Sequence, residues 1–185
     1  NIPVRQPLGV MVADGYAAIG DSAFMTVPII GSGIANALKA AKILADAVSS
    51  DYSNSFSAET LWEYQKNYYK AIGASMAPMA CVKLLLTRLE GHELDYIFAK
   101  GILNAEDMTI DADSSSLGAM LSGMSPADIK IKVQGLINNK AILKKVVNMG
   151  LQLGKATAVT AAMPQKYNRK AILKWVEQYN KCFKH

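Results

Sequence analysis

Gly20-Asp21-Ser22-Ala23-Phe24-Met25-Thr26-Val27-Pro28-Ile29-Ile30-Gly31-Ser32-Gly33-Ile34-Ala35-Asn36-Ala37 is the stretch on which the reading of this chain turns. An apolar segment ends in Gly-Asp, a short loop with a proline comes next, and a Gly-x-Gly opens an alanine-rich helix. The first amides of a helix have no carbonyl one turn back to bond to, and the helix dipole makes them attractive to electron-rich groups. The layout sets a carboxylate and a row of unpaired N–H groups at one rim. That suits a ligand with ribose-like hydroxyls and an electron-rich ring edge.

Upstream, Ile2–Leu8 carries two prolines and is expected to be an extended edge or linker strand. Gly9–Ala13 and Tyr16–Gly20 flank Asp14-Gly15, and an Asp-Gly step between short apolar runs predicts a hairpin. Downstream, Ser32 to Ser49 has helical periodicity. Ile34, Ala37, Leu38, Ala41, Leu44, Ala45 and Val48 are expected to face inward, with Lys39, Lys42 and Asp46 outside.

The polar Ser49–Ser57 stretch ends that helix and is the expected domain boundary. Everything beyond it reads as helix. Ser57 caps a segment with Leu61, Trp62, Tyr64, Tyr68, Tyr69 and Ile72 at helical spacing. Pro78 is expected to break or kink the next segment, which runs to Gly91. Further helices are expected over Glu93–Leu103, from Ser125-Pro126, over Lys140–Met163 and over Arg169–Phe183, with Asp111–Ser116 as loop. The fold class expected is mainly α: a short N-terminal hairpin, residues 1–49 as a piece of a larger α/β domain, and residues 50–185 as a helical domain.

At 51% hydrophobic and 19% charged residues, the 185-residue chain can bury a core. Cys81 and Cys182 sit far apart in apolar company and read as free thiols of a reducing compartment. His92 and His185 stand alone and suggest no metal site. No apolar run approaches the roughly 18 uninterrupted residues of a membrane span. Residues 1–125 carry 8 Lys/Arg against 13 Asp/Glu, whereas residues 126–185 carry 12 against 2. The basic third is either a solvated helical face or a surface for an anionic partner. Nucleic acid is a poor fit, because no basic–aromatic module is present.

Gly31-Ser32-Gly33 is not a dinucleotide fingerprint, since Asn36 occupies the place of the third glycine, and no Gly-Lys-Ser/Thr makes it a P-loop. The whole run, however, resembles the second flavin-binding motif of FAD-dependent oxidoreductases of the para-hydroxybenzoate hydroxylase and geranylgeranyl reductase superfamily. Gly20, Asp21, Ala23, Pro28, Gly31, Gly33, Ile34 and Ala37 fall in step with it, and Ser22 replaces an alanine. Pro3-x-Arg5-x-Pro7 before it and Leu61–Gly73 after it look more like the geranylgeranyl reductase branch.

The resemblance implies FAD as cofactor. Asp21 would accept a hydrogen bond from a ribityl hydroxyl. Gly31 and Gly33 would let the backbone approach the flavin, Pro28 would hold the loop beneath it, and Gly20 belongs to the same cofactor-binding set. The amides of Gly33 and Ile34 would face the N1–C2 edge of the ring. It also implies that the chain, which starts at Asn1, is the C-terminal part of a longer enzyme whose N-terminal Rossmann half binds the ADP end of FAD. On its own it is then expected to be inactive.

The implied activity is reduction of isoprenoid carbon–carbon double bonds, with the C-terminal helices enclosing an apolar substrate. The implied setting is cytoplasmic, with peripheral contact to an anionic membrane through lysines such as Lys140, Lys144, Lys145, Lys155, Lys166, Lys170 and Lys174. Monooxygenases and quinone-linked dehydrogenases share the motif and are the nearest alternatives. A non-enzymatic helical interaction module is the alternative of another class. No catalytic acid/base pair is discernible in residues 50–185.

Overall fold

A computed structural model describes residues 2–104 and 125–183. The expected loop at Asp111–Ser116 and His185 lie outside the described residues. The fold is mainly helical with one short antiparallel hairpin. In order, it comprises β1 (Val12–Ala13), β2 (Tyr16–Ala17), a 3-10 turn (Gly20–Ala23), α1 (Ile34–Ser49), α2 (Ala58–Tyr68), a π turn (Tyr69–Gly73) and α3 (Ala74–Leu86). Then come α4 (Gly91–Ala99), α5 (Pro126–Ile137), α6 (Lys140–Ala161) and α7 (Arg169–Lys181).

The hairpin forms where Asp14-Gly15 predicts it, with Val12 opposite Ala17 and Ala13 opposite Tyr16. Gly15 takes φ +66°, a conformation without penalty only for glycine. The tip is fastened to the start of α2, where the Ala58 amide donates to Asp14 Oδ1 (2.8 Å) and the Gly15 amide to the Phe56 carbonyl (2.8 Å). Ser57 caps α2 by accepting the Thr60 amide. Ser125 caps α5, with Pro126 in its first turn.

Residues 2–8 are not a strand. Several of their carbonyls are met by side chains from distant helices, while the Val4, Arg5 and Leu8 amides donate to the backbone carbonyls of Ile2, Pro3 and Ala23. Tyr179 Oη donates to the Pro7 carbonyl (3.0 Å), Tyr69 Oη to that of Leu8 (2.7 Å), and Lys83 Nζ to that of Val4 (3.0 Å). Fully buried Gln65 continues the pattern, donating to the Gly9 carbonyl (3.0 Å) and accepting the Met11 amide (2.8 Å). Pro3 and Pro7 lack the N–H a strand ladder needs, and the carbonyls left outside any ladder take side-chain donors.

Helix α1 is rotated relative to its expected face. Ala40 is its fully buried residue, and Ile43, Leu44 and Ala47 pack against the core. Ile34 and Leu38 are 80% and 68% exposed, and Ala45 and Val48 are exposed as well. Asn36 fixes the rotation by donating to the Met25 carbonyl (3.1 Å), which turns the Ala37–Ala40 side inward.

Pro78 does not break its helix. Residues 58–86 form a continuous rod, and α3 holds Pro78 in its interior. The missing N–H of Pro78 leaves the Ala74 carbonyl without its usual donor. The widened π turn that ends at Gly73 lies immediately before that carbonyl. Among the described residues, this rod is the one helix long and apolar enough to cross a membrane, but half of its most apolar window is buried inside the protein. Its aromatic residues make it the central core element. Tyr69 lies edge-on to Trp175 and to Tyr179, and Trp175 stacks on Tyr179 at 5.1 Å.

Candidate functional site

The Gly20–Asn36 segment is built around one buried hydroxyl. Gly20 (φ +61°) starts the 3-10 turn, and Phe24 closes it in the left-handed region (φ 56°). The Met25 amide returns to the Gly20 carbonyl (3.1 Å), while Met25, Thr26 and Pro28 go into the interior. Thr26, 1% exposed, donates from Oγ1 to Asp21 Oδ1 at 2.8 Å. Asp21 itself stays exposed at the rim.

From Val27 the chain forms a closed loop. The Gly31 amide donates to the Val27 carbonyl (2.9 Å), and the Val27 amide to that of Ser32 (2.8 Å). Gly31 sits at φ +71°, so a turn geometry rather than crowding calls for glycine there. Gly33 is different. Its φ of −132° suits any residue, but a Cβ there would lie 2.9 Å from Thr26 Oγ1 and 3.4 Å from Thr26 Cα. Thr26 thus touches both predicted partners: it orients the carboxylate of Asp21 and lies against the bare face of Gly33. The need for glycine at 33 comes from the protein's own packing.

Gly33 is the N-cap of α1 and makes no side-chain cap. By contrast, α2, α5, α6 and α7 are capped by Ser57, Ser125, Asn139 and Asn168, and α4 by a Glu90–Glu93 contact. The first-turn amides of α1, which have no carbonyl one turn back, thus receive no side-chain cap. Exposed Ile34 stands beside them. Asp21 and Gly33 meet at Thr26, Ile34 follows Gly33 as the first residue of α1, and Gly20, Pro28 and Gly31 lie in the turns between Ile19 and α1.

Thr26 and Asn36 are the two residues whose roles sequence reading missed. Asn36 pins the start of α1 to the Met25 carbonyl, next to Met76 of α3 (Nδ2 to Sδ 3.8 Å). Arg5 adds a guanidinium 5.0 Å above the Phe24 ring. Its place in Pro3-x-Arg5-x-Pro7 is the signal that marks it.

Elsewhere, a groove of about 150 Å3 between α3 and α6 is lined by Leu85, Arg88, Lys145, Asn148, Met149 and Gln152. Lys145 bonds both carboxylate oxygens of buried Glu93 (2.6 Å), and this bond, with the Glu90 amide, holds that carboxyl below its usual range. The two cysteines are free and buried, as the sequence suggests, and burial pushes the Cys81 thiol up to about 11.

No family model matches the chain. It is a distant homologue of digeranylgeranylglycerophospholipid reductases. It is 28% identical over 146 residues to that of Sulfolobus acidocaldarius, which is 78% of this chain and 31% of the relative. It is 32% identical over 113 residues to that of Methanothrix thermoacetophila, covering 59% of this chain and 28% of the relative. With digeranylgeranylglycerophospholipid reductase 1 of Methanococcoides burtonii the identity is 30% over 98 residues, 51% and 23% of the two chains. The chain spans under a third of the length of these relatives and is a partial-length counterpart of them.

Proposed function

We propose that this chain is the C-terminal part of an FAD-dependent reductase that saturates carbon–carbon double bonds of an isoprenoid lipid. Residues 1–49 would be the end of its FAD-binding unit and residues 50–185 its helical domain. The observation that carries the reading is the convergence on Thr26 of an exposed carboxylate and an uncapped helix start. The homology to lipid reductases points to the same chemistry.

The donor set fits the cofactor. Asp21, held by Thr26, would accept from a ribityl hydroxyl, a charge-assisted bond of about 1.5–3 kcal/mol. The Gly33 and Ile34 amides would face the N1–C2 edge of the ring, where reduction places negative charge, and would favour the reduced form. Held there in its reduced form, FAD would supply the hydride for one carbon of the double bond, with a proton completing the other. The residues of this chain would bind and orient. The exposed apolar stripe Ile34, Leu38, Ala45 and Val48 would be covered by the Rossmann half of the longer polypeptide.

The test is mass spectrometry of a geranylgeranyl lipid incubated with the full-length polypeptide and a reductant. The expected result is a gain of a hydrogen pair per double bond that requires both FAD and the reductant. An unchanged lipid with FAD-loaded protein would remove the reductase assignment and leave a monooxygenase or dehydrogenase.

A further inference from the structure

Helix α6 carries a face that the rest of the described chain leaves open. Lys140, Lys144, Val147, Leu151, Lys155 and Ala158 recur every three or four residues, so they share one side of the helix, and all are exposed. Leu151 is 71% exposed. Gly150 and Gly154 lie beside this face, and a Cβ built on either meets nothing within 4 Å. Helix α5 repeats the composition: Ile129, Val133 and Ile137 are exposed at intervals of four, and Ile137 is 60% exposed. Six lysines and a single acidic residue, Asp128, lie in α5 and α6 together.

We propose that this surface docks on an anionic lipid bilayer, with the aliphatic side chains of α5 and α6 entering the headgroup region. Two observations choose that occupant. Lysines interleave with the aliphatic residues on one helix face, whereas the centres of protein–protein interfaces are depleted in lysine. Lysine lays its stem along apolar surface and lifts its ammonium to the phosphates, which is how cationic amphipathic helices lie on membranes. The charge is also complementary: α6 has no acidic residue to repel an anionic surface. The choice of a bilayer over another polyanion rests on the lipid-reductase reading. The face specifies which residues bring such an enzyme to a substrate that resides in membrane.

The test is co-sedimentation of the 185-residue chain with vesicles of phosphatidylcholine alone or mixed with phosphatidylglycerol. The expected result is partition onto the anionic vesicles, weakened by added salt. Val147→Asn with Leu151→Asn should lower the partition coefficient about tenfold through lost apolar insertion. Lys140→Gln with Lys144→Gln should lower it on anionic vesicles alone. Leu38→Asn, exposed on α1, should leave it unchanged, with circular dichroism checking each variant's fold.

Equal sedimentation with both vesicle types, or an effect of Leu38→Asn equal to that of the α6 pair, overturns the proposal. So does a chain that self-associates in solution and is dispersed by the Val147/Leu151 variant, which assigns the face to a second copy. The assay involves neither flavin nor turnover. Vesicle binding by this face together with a polypeptide that takes up no FAD would retain the docking surface and remove the reductase reading; the converse would remove only the docking surface.

Discussion

At the scale of single residues, the candidate site depends on one hydroxyl. Gly33→Ala puts a methyl against Thr26 Oγ1 and should cost about 1–3 kcal/mol of overpacking, read by urea unfolding. Pairing it with Thr26→Ala should recover part of that loss, because the offending atom is gone. Gln65→Leu is expected to be among the most damaging polar substitutions. It strands the buried Met11 amide and Gly9 carbonyl together, at about 2–4 kcal/mol.

Acid should act through carboxylates already held low. Ser53, with the Phe56 amide, lowers Asp51; Lys145 lowers Glu93; and Ser125 lowers Asp128. Their folded values lie below the unfolded 3.8 or 4.5, so the stability they give is complete above those values. It is lost as pH falls through the depressed ones. Thermal melts from neutral pH down to about pH 3 should show that loss, and Asp51→Asn should flatten it. Asp21 and Gly33 are marked by the motif around them. Thr26 is not, because no local rule says that a threonine five residues after a carboxylate will turn back to it.

At the scale of elements, the features legible in the sequence are those that near neighbours decide. Ser57 and Ser125 are caps because their partners lie three residues on, and the Asp14-Gly15 turn forms because Gly15 alone permits it. Two elements escaped for a common reason. Residues 2–8 look like a strand until side chains 61 to 172 positions away take their carbonyls. Helix α1 has apolar residues on both sides, and contacts made outside the helix, the Asn36–Met25 bond among them, decide which side goes in.

The rod of residues 58–86 shows how Pro78 is carried within a helix. Gly73 ends the wide turn, and a Cβ on it would meet the Tyr68 ring at 2.9 Å and the Tyr69 ring at 3.2 Å. Gly73→Ala should therefore destabilise by about 1–3 kcal/mol, with the loss visible as reduced near-ultraviolet dichroism from the displaced tyrosines.

At the scale of the whole molecule, a single aromatic core joins the two ends of the chain. Met11 and Val12 share it with Trp175, Tyr179 and Phe183. Tyr179→Phe, which frees the Pro7 carbonyl, should cost about 1–2 kcal/mol and speed amide exchange in residues near Pro7. The chain covers less than a third of its relatives' length, and the resemblance puts the ADP-binding unit outside these 185 residues. Titrating them alone with FAD should give weak binding or none; submicromolar affinity would contradict that expectation.

Asp21 and the start of α1 are proposed to hold a flavin. The measurement that tests this most directly is the FAD content of the full-length polypeptide that carries this chain, by visible absorbance and by release of the cofactor, beside its Asp21→Ala variant. The account predicts a yellow protein with stoichiometric FAD and a variant that loses most of it while remaining folded. A colourless polypeptide that takes up no added FAD, or a variant that keeps it undiminished, would contradict the account.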